Sequence, residues 1–305
     1  MIKYLIQMCI RDRSMAVLFT SLFLGGCSSF WTEQLGADPA KEAAAVSAGG
    51  AGYEITEMDY RTEALEAVPI DLSGEGSGNG YERTEDGIMI LSPGEYVLSG
   101  ILEKGSVTVS LYEDETVHLI LDGAEIRADG KPAVCIESAD KAVITAKEGT
   151  ENILSDSAHR EEGADACLFS EADLTINGSG KLAVFGFHEH GIRSRDVAKV
   201  VGGSVYVKAK GDGIRGNNGV ILYGSDVEVE CEGNGIRAED TRDMVILEGG
   251  ICKVIAGKYA IKADHYVAAN DCAADLYAVL GEVDCSGTVL MGEEGAPEAE
   301  TAGEG

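Results

Sequence analysis

The sequence predicts an all-β protein folded as a parallel β-helix, a solenoid with coils of about 22–25 residues, and three observations lead to it. Four segments that combine a small, an aliphatic and a basic residue recur at intervals of 22, 22 and 25 residues: Gly191–Ser194, Gly213–Gly216, Gly235–Ala238 and Ala260–Ala263. Single glycines recur at nearly the same spacing: Gly178, Gly202, Gly224 and Gly249. Between these landmarks apolar and polar residues alternate, as in β-strands.

The alternation is clearest where Val205 and Val207 are separated by Tyr206 and Lys208. One such coil cannot bury its own apolar side, so stacked neighbours must supply the core. A propeller blade would need about 40 residues. The leucine pattern of leucine-rich repeats is absent from the sequence. The repeat therefore favours a β-helix.

The repeat also predicts which side chains stack on one another. One inward column is aliphatic (Ile192, Ile214, Ile236 and Ile261) and a second is small (Ser194, Gly216, Ala238 and Ala263). Cys231 is expected beside Ala209 and Ala256, and Cys252 beside Val205 and Val227. Cys135 and Cys167 are placed in one column, where a disulfide could form, and Cys272 could pair with Cys285.

The first 26 residues have the features of a lipoprotein signal peptide. An apolar run from residue 15 to residue 26 is too short to span a bilayer and ends at Cys27, as in a lipobox. We therefore expect Cys27 to be lipidated and the protein to be extracellular and anchored to a bacterial membrane. Residues 8–13 resemble a translated sequencing adapter, so residues 1–13 are treated as a candidate artefact.

Composition divides the remainder of the chain. Residues 27–65 are polar and predict a flexible linker, residues 66–290 the β-helix domain, and residues 291–305 an acidic disordered tail. The net charge of −29 excludes a duplex nucleic-acid binder that needs a basic face. It also leaves the lipid as the expected membrane contact. We expect a monomer.

The periodic region resembles the bacterial carbohydrate-binding domain family over residues 66 to about 265. Six blocks in conserved order support the resemblance: residues 94–100, 119–126, 148–156, 173–180, 190–192 and 211–214. It implies a right-handed, single-stranded β-helix at the cell surface that binds polygalacturonate or cellulose. The sequence departs from the family pattern after Gly235, where a shorter segment with cysteines replaces further Gly-rich coils.

A column of basic residues is the first candidate binding site. Because the isoleucines point inward, the next residue in each coil points outward: Arg193, Arg215, Arg237 and Lys262. Arginine binds carboxylates with two hydrogen bonds, so this column suits a linear polyanion such as polygalacturonate. The alternative is a solvated face on which Glu239 and Asp264 pair with Arg237 and Lys262.

Acidic and amide residues at the coil corners form the second candidate site. Asp196, Asn218 and Asp240, with Asp140, fall at one corner, and Asp212 precedes a glycine at another. Oxygen ligands of this kind suit Ca²⁺, which could bridge to a polyuronate. The same residues also cap turns with their side chains.

No motif in the sequence identifies a catalytic residue. The sequence therefore favours a surface lipoprotein that binds acidic polysaccharide without cleaving it. A Ca²⁺-dependent lyase or hydrolase on the same fold and a purely structural spacer stay open as alternatives. Tyr206, Tyr223 and Tyr259 are expected to face outward but form no aromatic stripe.

Overall fold

A computed structural model describes residues 45–48, 51–160 and 164–291. These residues form a parallel β-helix of about nine turns, which confirms the predicted fold class. The helix found in the described part of the chain is α1 (Glu57–Tyr60). Among the same residues no helix is long and apolar enough to cross a membrane. The predicted signal peptide, Cys27 and all but the first residue of the predicted tail lie outside the described residues.

The strands occupy three faces of the solenoid, after an antiparallel pair formed by β1 (Ala45–Ala48) and β2 (Ala51–Glu54). Face 1 contains β3 (Val68–Asp71), β10 (Lys141–Ala146), β13 (Asp173–Asn177), β16 (Val197–Val201), β19 (Gly219–Tyr223), β22 (Met244–Glu248), β25 (Tyr266–Asn270) and β28 (Thr288–Met291). Face 2 contains β11 (Glu151–Ser155), β14 (Lys181–Gly186), β17 (Ser204–Ala209), β20 (Asp226–Cys231), β23 (Ile251–Ala256) and β26 (Ala273–Ala278). The long strands β6 (Gly94–Glu103) and β8 (Thr116–Arg127) run across both faces.

Face 3 is a separate sheet. It contains β4 (Tyr81–Thr84), β5 (Gly87–Ile90), β7 (Ser106–Ser110), β9 (Val134–Ser138), β12 (Ala166–Ser170), β15 (His190–Ser194), β18 (Ile214–Gly216), β21 (Ile236–Ala238), β24 (Tyr259–Ala263) and β27 (Gly281–Cys285). Its strands pair in parallel, except for the antiparallel pair β4–β5. The candidate basic column lies on this sheet.

The inward columns confirm the predicted register. Ile192 pairs with Ile214, Ile214 with Ile236 and Ile236 with Ile261, and all four side chains are fully buried. The predicted neighbours of Cys231 and Cys252 are also confirmed. Equivalent residues in adjacent coils lie about 4.8 Å apart, so each isoleucine packs on the next and the core is continuous.

The predicted pairing of Cys135 with Cys167 is wrong. In the β9–β12 register Val134 lies beside Leu168, so Cys135 lies beside Phe169 on the outward side. Cys167 is fully buried inside the coil. The repeat pattern matched Cys135 with Cys167, which is two residues out of register, because this coil contains extra residues before β12. Both thiols are free, as are Cys272 and Cys285, so neither of the two possible disulfides is formed.

The last part of the predicted linker packs against face 1. We call residues 55–61 the strap; within it, Ile55 and Asp59 are fully buried. Lys141 and Lys199 form ion pairs with the Asp59 carboxylate. Residues 55–61 therefore pack on the outside of the β-helix, whose first strand, β3, begins at Val68.

Candidate functional site

The basic column lies where the sequence predicts it. Arg193, Arg215, Arg237 and Lys262 occupy adjacent positions on β15, β18, β21 and β24. Each follows a buried isoleucine, and alternation along a strand turns it to the opposite side of the sheet. Four consecutive coils therefore present one cation each on face 3.

The column changes character at both ends of this basic stretch. Phe169 precedes Arg193 in the stack, and Asp284 follows Lys262. The ammonium of Lys262 lies 2.5 Å from Asp284 Oδ2 and 5.3 Å from the centre of the Tyr259 ring. Lys262 therefore pairs with Asp284, whereas the sequence suggested Asp264 as its partner.

The Glu239 carboxylate forms ion pairs with three of the four cations. Glu239 Oε1 accepts a hydrogen bond of 3.0 Å from Arg215 Nε and lies 3.6 Å from Arg193 Nη2. Its other oxygen lies 2.9 Å from Arg237 Nη2. The sequence paired Glu239 with Arg237 alone. The guanidinium groups are therefore ordered by internal ion pairs and are mostly shielded, with Arg193 only 8% exposed.

A polar column beside the arginines joins successive coils. His190 Nδ1 accepts the backbone N–H of Asp212 at 2.8 Å, and Asp212 Oδ1 accepts that of Asn234 at 2.8 Å. Asp212 Oδ2 lies 3.2 Å from Arg237 Nη1. Burial alone would raise the pKa of Asp212, but hydrogen bonds from Asn234 and nearby positive charges lower it below its ordinary value. Asp212 is therefore an ionised residue that caps the turn of the next coil.

Three residues at the corner before face 3 could hold a metal ion. Ligand atoms of Asp165, Glu189 and His190 lie within 4.8 Å of one another. Burial lowers the pKa of His190, so its ring is neutral at pH 7. Both ring nitrogens of His190 face hydrogen-bond donors: Nδ1 accepts the backbone N–H of Asp212, and Arg215 Nη1 lies 2.8 Å from Nε2. An ion at this corner would therefore rely mainly on the two carboxylates.

The predicted acidic corner is only partly assembled. Asp196, Asn218 and Asp240 line an open cavity of about 420 Å³ together with Asp173. Burial and the charge of Asp196 raise the pKa of Asp173. Asp212 lies at the other corner, as the sequence also placed it.

Asp240 is not in register with Asn218. Gly219 pairs with Met244, so the position after Asn218 in the stack belongs to Asp243. The Asp243 carboxylate accepts the backbone N–H groups of Asp264 and His265 at 2.8 and 2.7 Å. Asp243, which the sequence analysis did not single out, therefore caps the turn before β25.

The structure reveals an aromatic cluster that the sequence did not single out. Phe185 stacks with Phe187 at 6.0 Å between ring centres and contacts Tyr206 edge-on at 6.0 Å. Phe187 is half exposed and precedes Glu189 by two residues. The cluster spans a strand and a corner, so no periodic pattern marks it in the sequence. Of the other predicted outward tyrosines, Tyr223 contacts Tyr60 of the strap.

Comparison with known proteins agrees with the fold. The family model described as carbohydrate-binding domain-containing protein matches residues 84–302. A carbohydrate-binding domain-containing protein of Acetivibrio thermocellus is 29% identical over 200 residues, 64% of this chain and 63% of that relative. The chain thus matches less than two thirds of the relative's length.

A solved structure gives the same result. The polysaccharide lyase-like protein from C. thermocellum, solved as a gadolinium derivative, is similar with a TM-score of 0.71 and 28% identity. The match covers 74% of this chain and 96% of that one.

Proposed function

The chain belongs to the carbohydrate-binding domain family, and on that premise we propose that it binds an acidic polysaccharide such as polygalacturonate along face 3 without cleaving it. The observation that carries the proposal is the basic column, one outward cation in each of four consecutive coils. A polyuronate repeats its carboxylates along a chain, and a column of cations about 4.8 Å apart offers repeated partners.

The binding face is tested by removing three of its charges. In the triple variant Arg193→Gln, Arg215→Gln and Arg237→Gln, affinity for polygalacturonate is expected to fall at least about tenfold, roughly 1.4 kcal/mol. The measurement is affinity electrophoresis in gels with and without polygalacturonate, at a temperature where the variant is folded.

The control removes three exposed cations from face 2: Arg127, Lys181 and Lys208, each changed to Gln. Equal weakening in this control would show general charge attraction instead of a binding face. Migration of the wild type without retardation would favour the spacer, and retardation by cellulose alone would favour a neutral ligand.

A metal bridge is the alternative mode of binding. The Asp165–Glu189–His190 corner or the Asp196–Asn218–Asp240 corner would hold Ca²⁺, which prefers oxygen ligands and could also bind a uronate carboxylate. In that case a chelator abolishes binding and the triple arginine variant retains it. Direct contact with arginine predicts the opposite pair of results.

The name of the polysaccharide lyase-like relative keeps catalysis as a second candidate. Cleavage by elimination needs a base with a free lone pair beside the substrate. In His190, Nδ1 already accepts the N–H of Asp212, and Nε2 lies 2.8 Å from Arg215 Nη1. Neither ring nitrogen is available as a base, which favours binding over catalysis at this corner. Incubation with polygalacturonate, followed by assays for unsaturated products and new reducing ends, tests the candidate; either product would replace the binding proposal.

We further propose that Cys27 anchors the protein outside the cell through a lipid. The basis is the lipobox-like sequence before it. The Cys27→Ala variant is expected to be released into the medium or to accumulate as an unprocessed precursor. A processed variant that still sediments with membranes would contradict this anchor.

A further inference from the structure

We infer that Glu239 and Asp284 occupy the carboxylate positions of the polyuronate site and lower its affinity for ligand by competing for the basic column. The inference rests on the proposed function. It adds that the site binds carboxylates, and that carboxylates of the chain itself already occupy it.

The contacts of Glu239 are those expected of a bound ligand carboxylate. Both of its oxygens are used, and its bonds reach Arg193, Arg215 and Arg237 in three different coils. Glu239 lies two residues after Arg237, so alternation along the strand places its side chain on the same outward side. Its side chain is 21% exposed, so it lies at the surface where an incoming carboxylate would arrive.

Local charge is balanced around these arginines. Three cations face three carboxylates, which are Glu239, Asp212 and Asp165. Asp212 also accepts backbone and side-chain N–H groups from Asn234, which fixes its position in the fold. No side-chain hydrogen bond of Glu239 to anything other than arginine is found among the described residues. The Glu239 carboxylate, unlike that of Asp212, can therefore leave without breaking a turn.

Lys262 repeats the arrangement with a single partner. Its ammonium is bound by Asp284, the next residue in the same column. Both groups are about one third exposed, at 31% and 38%. The basic stretch is thus closed by an internal carboxylate at its far end as well.

The test is to remove the negative charge while keeping the shape. In Glu239→Gln, three arginines lose a shared counter-ion, and polygalacturonate should bind about tenfold more tightly. The salt dependence of binding should also steepen, since more charge is available to the ligand. Asp284→Asn should raise the affinity by a smaller factor, because it frees one cation.

Glu230→Gln is the matched control, since Glu230 pairs with exposed Lys208 on face 2. Its affinity should equal that of the wild type. Asp284→Asn also serves as the second variant if Glu239→Gln folds poorly, because the Lys262 pair lies at the edge of the column and is more exposed.

The outcomes separate this inference from the proposed function. Wild-type binding with unchanged or weaker binding in both Glu239→Gln and Asp284→Asn would overturn the inference and leave the function in place. Absence of binding in the wild type and in both variants would remove the proposed function and the inference with it. Binding gained by the variants alone would support the inference.

Discussion

Asp59 is a fully buried carboxylate that is held by two lysines of face 1. Its side chain is fully buried between Lys141 and Lys199 and also accepts a hydrogen bond from Thr175. Burial alone would raise the pKa of Asp59, but these partners outweigh burial and lower it to about 2. The carboxylate is therefore charged in the folded protein at any ordinary pH, and its stabilising effect fades as pH falls from about 4 towards 2.

The first prediction removes this charge. Asp59→Asn leaves Lys141 and Lys199 largely buried without a counter-ion, and breaking a buried pair in this way costs about 3–5 kcal/mol. Urea unfolding of the variant and the wild type measures the loss. Asp226→Asn, an exposed position on β20, is the control and should change the stability by less than about 0.5 kcal/mol. A loss below about 1 kcal/mol at position 59 would contradict the buried network.

The second prediction concerns pH. Burial lowers the pKa of both His118 and His190 below the ordinary value of about 6.5. Between pH 7.5 and the folded pKa values the unfolded chain takes up protons that the folded chain does not, so stability falls as pH decreases through this window. In an NMR titration the His190 ring should stay neutral at pH 6.5. Protonation of His190 above pH 6.5 would contradict its burial beside the arginines.

Single residues differ in how well their sequence context reveals them. Arg193, Arg215 and Arg237 were predicted because each follows an inward isoleucine at a fixed interval, and this pattern determines the side of the sheet. Glu239 serves all three arginines because side-chain length lets it reach across coils, which a repeat interval does not encode. Asp165 was missed because it follows an inserted stretch that interrupts the period.

At the scale of elements, glycines allow the chain to turn between faces. Gly202 and Gly203 adjoin in the turn between β16 and β17 and have φ values of +71° and +74°. A Cβ at Gly202 would meet nothing within 4 Å, whereas one at Gly203 would lie 2.3 Å from the carbonyl oxygen of Gly178. The two positions share the same backbone conformation and differ in the space beside the coil below.

The third prediction uses this pair. Gly202→Ala should cost about 1–2 kcal/mol, the price of a left-handed backbone conformation in a residue with a Cβ. Gly203→Ala adds a clash with the neighbouring coil, worth about another 1–3 kcal/mol. Thermal and urea unfolding of both variants check the order. Equal losses would mean that adjacent coils do not approach closely at this corner.

The register of whole strands was predicted well where the coils differ in length by no more than three residues. The columns through β15, β18, β21 and β24 follow intervals of 22, 22 and 25 residues. The coil before β12 is longer, and an alignment by residue type placed β9 two residues out of step. Packing decides such a case, because only the observed register puts Val134 and Leu168 together in the core.

For the molecule as a whole, face 1 is the sheet that is largely buried on both sides along four successive strands, from β16 to β25. All five residues of β16 are buried, as are four of five in β19, β22 and β25. Continuous burial of this kind means that a second layer covers the sheet. The cover includes the strap, with Ile55 packed among Ile221, Ile246 and their neighbours. The strap was predicted as linker because its own residues are mostly polar, while the signal for a cover lies in face 1.

The last prediction removes the cover. A chain beginning at Thr62 loses Ile55 and Asp59, so apolar side chains of face 1 become exposed and Lys141 and Lys199 lose their counter-ion. The melting temperature of this truncated chain should fall. It should also bind an apolar dye that does not bind the full-length chain.

A synthetic peptide of residues 51–61 is added in trans to isolate the strap from everything that precedes it. It should restore the melting temperature and release the dye, whereas the same peptide with Asp59→Asn should do neither, because the buried lysines need the carboxylate. Polygalacturonate retention below the melting temperature should be unaffected, since the basic column lies on face 3. A truncated chain as stable as the full one, or rescue by both peptides alike, would show that the Asp59 network does not hold the strap to the solenoid.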